Sequence, residues 1–244
     1  MSQNPYESSV ANTASNLGNR GDESHYRSVA FQAKAITILL VLLSAIHLLA
    51  AVADTSGFLL FEGYSDPQAE VNVGLELAIV VTVVALAAAS VLVYLAAVVF
   101  VCVFMYRANA NLRALGATHL TYTPGWCVGY WFIPFANLVS PYRAMKELYL
   151  CSESPTDSNW KNGAVLSAFQ PWWACWLIGS FLSRIETRLA LRGIDTGSAG
   201  IFLSLAATFA TVAAAYLLIR IVNPIHKNLE SHYQRLLTQQ ETLG

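Results

Sequence analysis

Long apolar runs alternate with short polar stretches along this chain, and the length of each run limits what it can do. Crossing the hydrocarbon of a bilayer takes about 20 predominantly apolar residues. Residues 35–53 are an uncharged run with a single histidine, His47, near the middle. Residues 77–106 form an apolar helix-compatible run of 30 residues, about 45 Å long, which must tilt or project from a bilayer. Residues 200–219 carry Ala206, Ala210, Ala213 and Ala214, a small-residue face suited to close helix packing. Residues 164–183 make a fourth candidate span containing Pro171, a break that neighbouring helices tolerate.

A further apolar stretch, residues 125–140, either crosses or dips in and returns. Orientation decides between the two. Residues 54–76 hold Asp54, Glu62, Asp66, Glu70 and Glu76 and no Lys or Arg, which places that loop outside and the N-terminus in the cytoplasm. If residues 125–140 cross, there are five spans, with eight Lys/Arg inside and six outside. If they re-enter, there are four spans, and eleven lie inside against three outside. Pro124, Pro134 and Pro141 interrupt helix continuity, and Gly125 and Gly129 add freedom. The fold class expected is all-α: a polytopic membrane helix bundle of four spans plus a Pro/Gly-broken re-entrant segment, with five spans as the alternative. Both termini are then cytoplasmic, and the protein sits in the cell membrane.

The chain divides into a disordered cytoplasmic tail (1–30), a helical membrane domain (31–222) and a cytoplasmic amphipathic C-terminal helix (223–244). The tail is rich in Ser, Asn and Gly. Its length and its acidic Glu7, Asp22 and Glu23 make the first run an uncleaved anchor rather than a signal peptide. In the last segment Ile225, Leu229, Tyr233 and Leu236 share one helical face. After Pro141, Tyr142, Met145 and Tyr149 recur at helical spacing while Arg143, Lys146 and Glu147 face elsewhere, the pattern of a helix in the interface plane. Trp126, Trp131 and Trp160, with Trp172 and Trp173 on the fourth run, are expected as interface anchors.

Composition agrees with this reading. The chain is 55% hydrophobic and 12% charged, against about 25% charged in soluble domains. A net charge of −1 offers no basic field for nucleic acid. Gly-rich phosphate loops, zinc-binding His/Glu helices and nucleophile elbows do not occur in the sequence. Cys102, Cys127, Cys151 and Cys175 have no paired spacing and read as small hydrophobes rather than metal ligands.

One polar constellation stands out. Arg107, Asn109, Asn111 and Arg113 follow the second run, Asn137 lies in the broken segment, and Arg184, Glu186 and Arg188 follow the fourth run. Glu186 lies about 200° round the helix from Arg184 at 100° per residue, so it pairs with neither arginine of its own helix. It needs another segment, water or a ligand. One reading leaves these groups solvated at a helix end; the other brings them together with the Arg107–Arg113 group through the tertiary fold.

The stretches YRANANLRALGA, TPGWCVGYWFIPFANLVSPYRAMKELY and PWWACWLIGSFLSRIETRL resemble, in order and spacing, the bacterial membrane family known as domain of unknown function 4328. That resemblance implies a multi-pass membrane protein and carries over no catalytic residue. The expected role is non-enzymatic, a scaffold or a small-ligand or lipid-binding module, with a small transporter or channel subunit as the alternative. No cofactor or metal is expected. The expected partners are the lipid bilayer and another copy of the chain or another membrane protein.

Overall fold

The computed structural model describes residues 26–62, 73–194 and 196–243, and among them there are helices and turns but no strand. The α-helices are α1 (Ala30–Glu62), α2 (Val73–Ala114), α3 (Pro124–Gly129), α4 (Ser140–Glu153), α5 (Phe169–Leu191) and α6 (Gly197–Leu243). Short 3-10 turns occupy Tyr130–Phe132, Ala136–Leu138 and Trp160–Asn162. Most of the tail expected to be disordered lies outside the described residues.

Three of these helices contain a stretch long and apolar enough to cross a membrane: Ala30–Ser56, Leu77–Ala114 and Gly197–Thr242. Each helix outruns the apolar run that announced it. α2 continues past Tyr106 to Ala114, and α6 continues through Pro224 to Leu243. A proline inside a helix costs roughly 3 kcal/mol or more. Ile221, Val222, Ile225 and Leu229, all with no exposure, offset this, since fully burying one such side chain is worth about 1.5–3 kcal/mol. The C-terminal segment is therefore not a separate helix. It is the end of α6, packed through Ile225, Leu229 and Tyr233, whereas Leu236 stays exposed.

Helices α1 and α2 pack together, α1 also packs on α6, and α5 pairs chiefly with α6. The direction alternates from one long helix to the next. The start of α1 meets the end of α2, where Asn111 bonds to Arg27, and it meets the end of α6, where Tyr26 stacks on Tyr233. Burial gathers at this end of the bundle. Ile36 of α1, Phe104 and Leu112 of α2, Met145 and Leu148 of α4, Trp172 of α5 and Ile225 of α6 are all fully buried there. Away from it, α2 exposes Val80, Val84, Val91 and Leu95, and only 11% of its most apolar window is covered by protein.

Residues 125–140 do not make a continuous crossing. The longest helix there, α3, has six residues, about 9 Å, so the five-span alternative has no helix to supply its extra span. The helix after Pro141 also differs from expectation. Nine of the 14 residues of α4 are buried, Glu147 among them, because the helix is enclosed by α2, α3, α5 and α6 instead of lying on a surface.

On α6 Ala207, Ala210, Ala214 and Ala215 are buried. Of the expected face, Ala210 and Ala214 are buried, Ala213 is half-buried and Ala206 is exposed. Opposite it, Gly179 of α5 is set so close that a Cβ would lie 3.1 Å from Thr211 Oγ1 and 3.5 Å from Ala210 Cβ. Replacing Gly179 by leucine should force α5 and α6 apart and destabilise the purified protein by about 1–3 kcal/mol, the usual penalty of overpacking. Equilibrium unfolding followed by tryptophan fluorescence measures it, and Gly125→Leu, at a site with open space around it and no positive φ, controls for added apolar bulk.

Candidate functional site

The last two turns of α2 carry the polar residues that the sequence singles out, and the fold spends them on backbone. Asn109 and Arg113 are four residues apart and share one helix face. Arg113 Nε donates to Asn109 Oδ1 at 3.1 Å. Both side chains then donate to the carbonyl of Tyr122, Asn109 Nδ2 at 3.0 Å and Arg113 Nη2 at 2.9 Å. From the other side, the Glu147 carboxylate accepts the backbone N–H groups of Thr121 and Tyr122 at 2.9 and 3.0 Å. A loop segment with no helix or strand of its own is thus gripped at its donors and its acceptor. Asn109 also lies 3.4 Å from the Sγ of buried Cys127.

Asn111, on another face of the helix, does the same to the chain entering α1. Its Nδ2 donates to the Arg27 carbonyl at 2.9 Å and its Oδ1 accepts the Arg27 N–H at 3.1 Å. A second clasp joins the same entry to α6: Tyr26 and Ser28 donate to Glu230 Oε2, and Gln234 donates to Glu230 Oε1. These hydrogen bonds, that from Gln234 foremost, hold the Glu230 carboxyl below the usual range.

The tryptophans act in the same way rather than as surface anchors. Trp160 donates to the Thr118 carbonyl at 3.0 Å and Trp173 to the Leu138 carbonyl at 2.9 Å. Trp172, Trp160 and Trp173 are buried, which corrects their expected place at an interface. Trp131 is half-buried and points its N–H at Met105 Sδ, 3.4 Å away. Trp126 alone of the five is exposed.

The remaining members of the constellation lie elsewhere. Arg107 is half-buried one turn before the network, and Asn137 sits in the 3-10 turn Ala136–Leu138, its N–H bonded to the Ile133 carbonyl. Arg184 and Arg188 are exposed on α5. Glu186 lies near the Ser204 hydroxyl of α6 and the Asp54 carboxylate of α1. These groups line a cleft of about 640 Å³ between α1, α5 and α6, together with Thr55, Thr196 and Ile201. Asp54 stands 24 residues along α1 from Ala30, about 36 Å at 1.5 Å per residue. Asn111 bonds at the opposite end of that helix. The constellation is therefore divided between two ends of the molecule and does not meet.

Sequence reasoning missed the role of Glu147, which it set with Arg143 and Lys146 on the polar side of an interfacial helix. It also missed Asp54 and Ser204, whose proximity to Glu186 depends on the tertiary arrangement. Burial, with Glu147 close by, pushes the Cys151 thiol up to about 12. Burial, reinforced by Glu153, raises the Tyr149 phenol to about 12 as well.

Two outcomes follow. Asn109→Ala and Glu147→Gln should each destabilise by about 1–3 kcal/mol, since each leaves a buried polar group unmatched, and together they should be non-additive. Glu186→Gln should add to either one within about 0.5 kcal/mol, as distant sites do. Urea unfolding of the two double-mutant cycles checks this. Separately, Cys127 and Cys151, both without exposure, should resist maleimide in the folded protein at pH 8 and react after denaturation, with modification of each thiol followed by peptide mass spectrometry.

The family model described as Domain of unknown function (DUF4328) matches residues 69–227. No curated protein and no solved structure matches the chain.

Proposed function

The chain belongs to the family of domain of unknown function 4328, and from that premise we propose a non-enzymatic membrane protein that binds a small ligand bearing positive charge. The cleft carries this reading. It brings two carboxylates, Asp54 and Glu186, and the Ser204 hydroxyl to one concavity walled by apolar side chains, whereas the other polar residues singled out in the sequence are largely engaged with backbone. Pockets of this size, apolar with a few placed polar groups, are the usual form of small-molecule sites.

Four spans suit this reading. α5 has 23 residues, about 35 Å. It starts beside Leu138 and ends at the cleft, level with the far part of α1. Its length and direction support its service as the fourth span despite its lower hydropathy. Residues 125–140 then enter and leave on one side, and both termini lie in the cytoplasm. The distribution of basic residues supports that orientation, with Arg184, Arg188 and Arg192 at the cleft end and Arg27, Arg107, Arg113, Arg143 and Lys227 at the other.

In reconstituted vesicles, cysteines introduced at exposed Ser154 and Arg192 should label from opposite sides; labelling of both from one side ends the four-span reading. For the ligand, intact-protein mass spectrometry after mild extraction should show a bound cationic species lost in Asp54→Asn/Glu186→Gln. Equal retention by wild type and double variant rejects the cleft as the site. Substrate-dependent flux through the vesicles would assign the same cleft to transport instead.

A further inference from the structure

Between Pro134 and Ala136 the backbone folds into a γ-turn. Phe135 has φ 65° and ψ −41°, and the Ala136 N–H donates to the Pro134 carbonyl at 2.8 Å. This positive-φ turn is rare and strained, more so for a bulky aromatic residue than for glycine. The strain does not serve to bury the ring. Phe135 is 85% exposed and Phe132 71%, with Ile133, Leu138 and Val139 exposed beside them. Strained backbone that persists is held by its surroundings and points to a use. Here the surroundings are rigid: Trp131 is fixed to Met105, Trp173 to the Leu138 carbonyl, and Trp131, Trp173 and Trp176 pack ring on ring.

The depth of this tip can be read from α2. Its apolar run ends at Tyr106 and charge begins at Arg107. Trp131, bonded to Met105, sets the turn at the level where that run meets polar surroundings. Exposed Phe31 and Tyr106 continue the same belt, and exposed Arg143 follows it. Aromatic groups backed by basic ones at such a boundary fit the headgroup–acyl interface of a bilayer.

We infer that residues 132–139 form a preset aromatic wedge whose Phe132 and Phe135 rings insert into the interfacial layer of the surrounding leaflet. The inference rests on the membrane reading above and goes beyond it: the segment neither spans nor dips deeply, and it grips lipid at one depth.

The test places an environment-sensitive fluorophore at Phe135→Cys, and separately at Phe132→Cys, in the full chain carrying Cys102→Ala and Cys175→Ala. Cys127 and Cys151 are buried and stay. Val84→Cys in the exposed apolar part of α2 serves as a lipid reference and Gln239→Cys near the end of α6 as an aqueous one. In phosphatidylcholine vesicles containing nitroxide-labelled lipids, the probes at 132 and 135 should be quenched most by nitroxides near the headgroup and little by aqueous iodide. Quenching by iodide alone overturns the wedge. Quenching by neither, with crosslinking between copies, overturns it in favour of self-association. If the Val84 probe is not quenched by lipid nitroxide either, the membrane reading itself fails. Phe135→Gly should keep or raise the thermal stability of the purified protein, because glycine relieves the turn and the ring packs on little. A clear fall in stability shows the ring to be a core element and rejects the proposal.

Discussion

A single loop peptide, Thr121–Tyr122, is held by a carboxylate on one side and by an amide and a guanidinium on the other, and the folded end of the molecule is arranged around that grip. Buried backbone groups outside helix and sheet must find partners, since leaving one unmatched costs about 1–3 kcal/mol. Asn109, Arg113 and Glu147 supply them here. In doing so they fix the end of α2 against the middle of α4. With that distance set, Trp160 and Trp173 can reach the Thr118 and Leu138 carbonyls, and the apolar side chains of α6 close over the assembly. Packing alone would not choose this register, because apolar contacts are non-directional.

The sequence made the helices legible through their apolar runs, because periodic hydrophobicity and length are local properties. It understated their ends. α2 and α6 project beyond the lengths that lipid alone would require, and the reason lies in partners far along the chain: Leu112 is buried against the end assembly, and α6 passes Pro224 because Ile221 and Ile225 are fully enclosed. The unmet need of Glu186 was likewise legible from its angular position on the helix. Its neighbours were not, since Asp54 and Ser204 are brought near it only by the alternating directions of α1, α5 and α6. Glu147 was obscured by its place beside Arg143 and Lys146, which suggested the polar face of an interfacial helix. Trp172 and Trp173 looked like surface anchors because tryptophan suits boundaries, but Trp172 packs edge-on against Phe169 and tilted against Trp173 in the interior.

The family match begins at residue 69, so α1 lies outside it, although α1 touches both α2 and α6. The attachment of α1 explains how such a helix can be central and yet separately specified. It is docked by Asn111 through the Arg27 backbone, which any residue but proline at position 27 would offer equally, and by the Tyr26 and Ser28 contacts to Glu230. The matched stretch supplies Asn111 while Glu230 lies just beyond it, and the entering chain supplies the Arg27 main chain and the Tyr26 and Ser28 hydroxyls.

That clasp also fixes an order of assembly. Tyr26 and Glu230 are separated by 204 positions in the chain, and the cost of closing so long a loop is met only once its contacts form. During synthesis the entry to α1 precedes by 204 positions the Glu230 carboxylate that Tyr26 meets. Asn111 can hold the Arg27 backbone once α2 is made, whereas the Tyr26 and Ser28 hydroxyls wait for α6. A chain cut before Glu230 would keep the hold of Asn111 on Arg27 while losing the Tyr26 and Ser28 contacts and the last turns of α6.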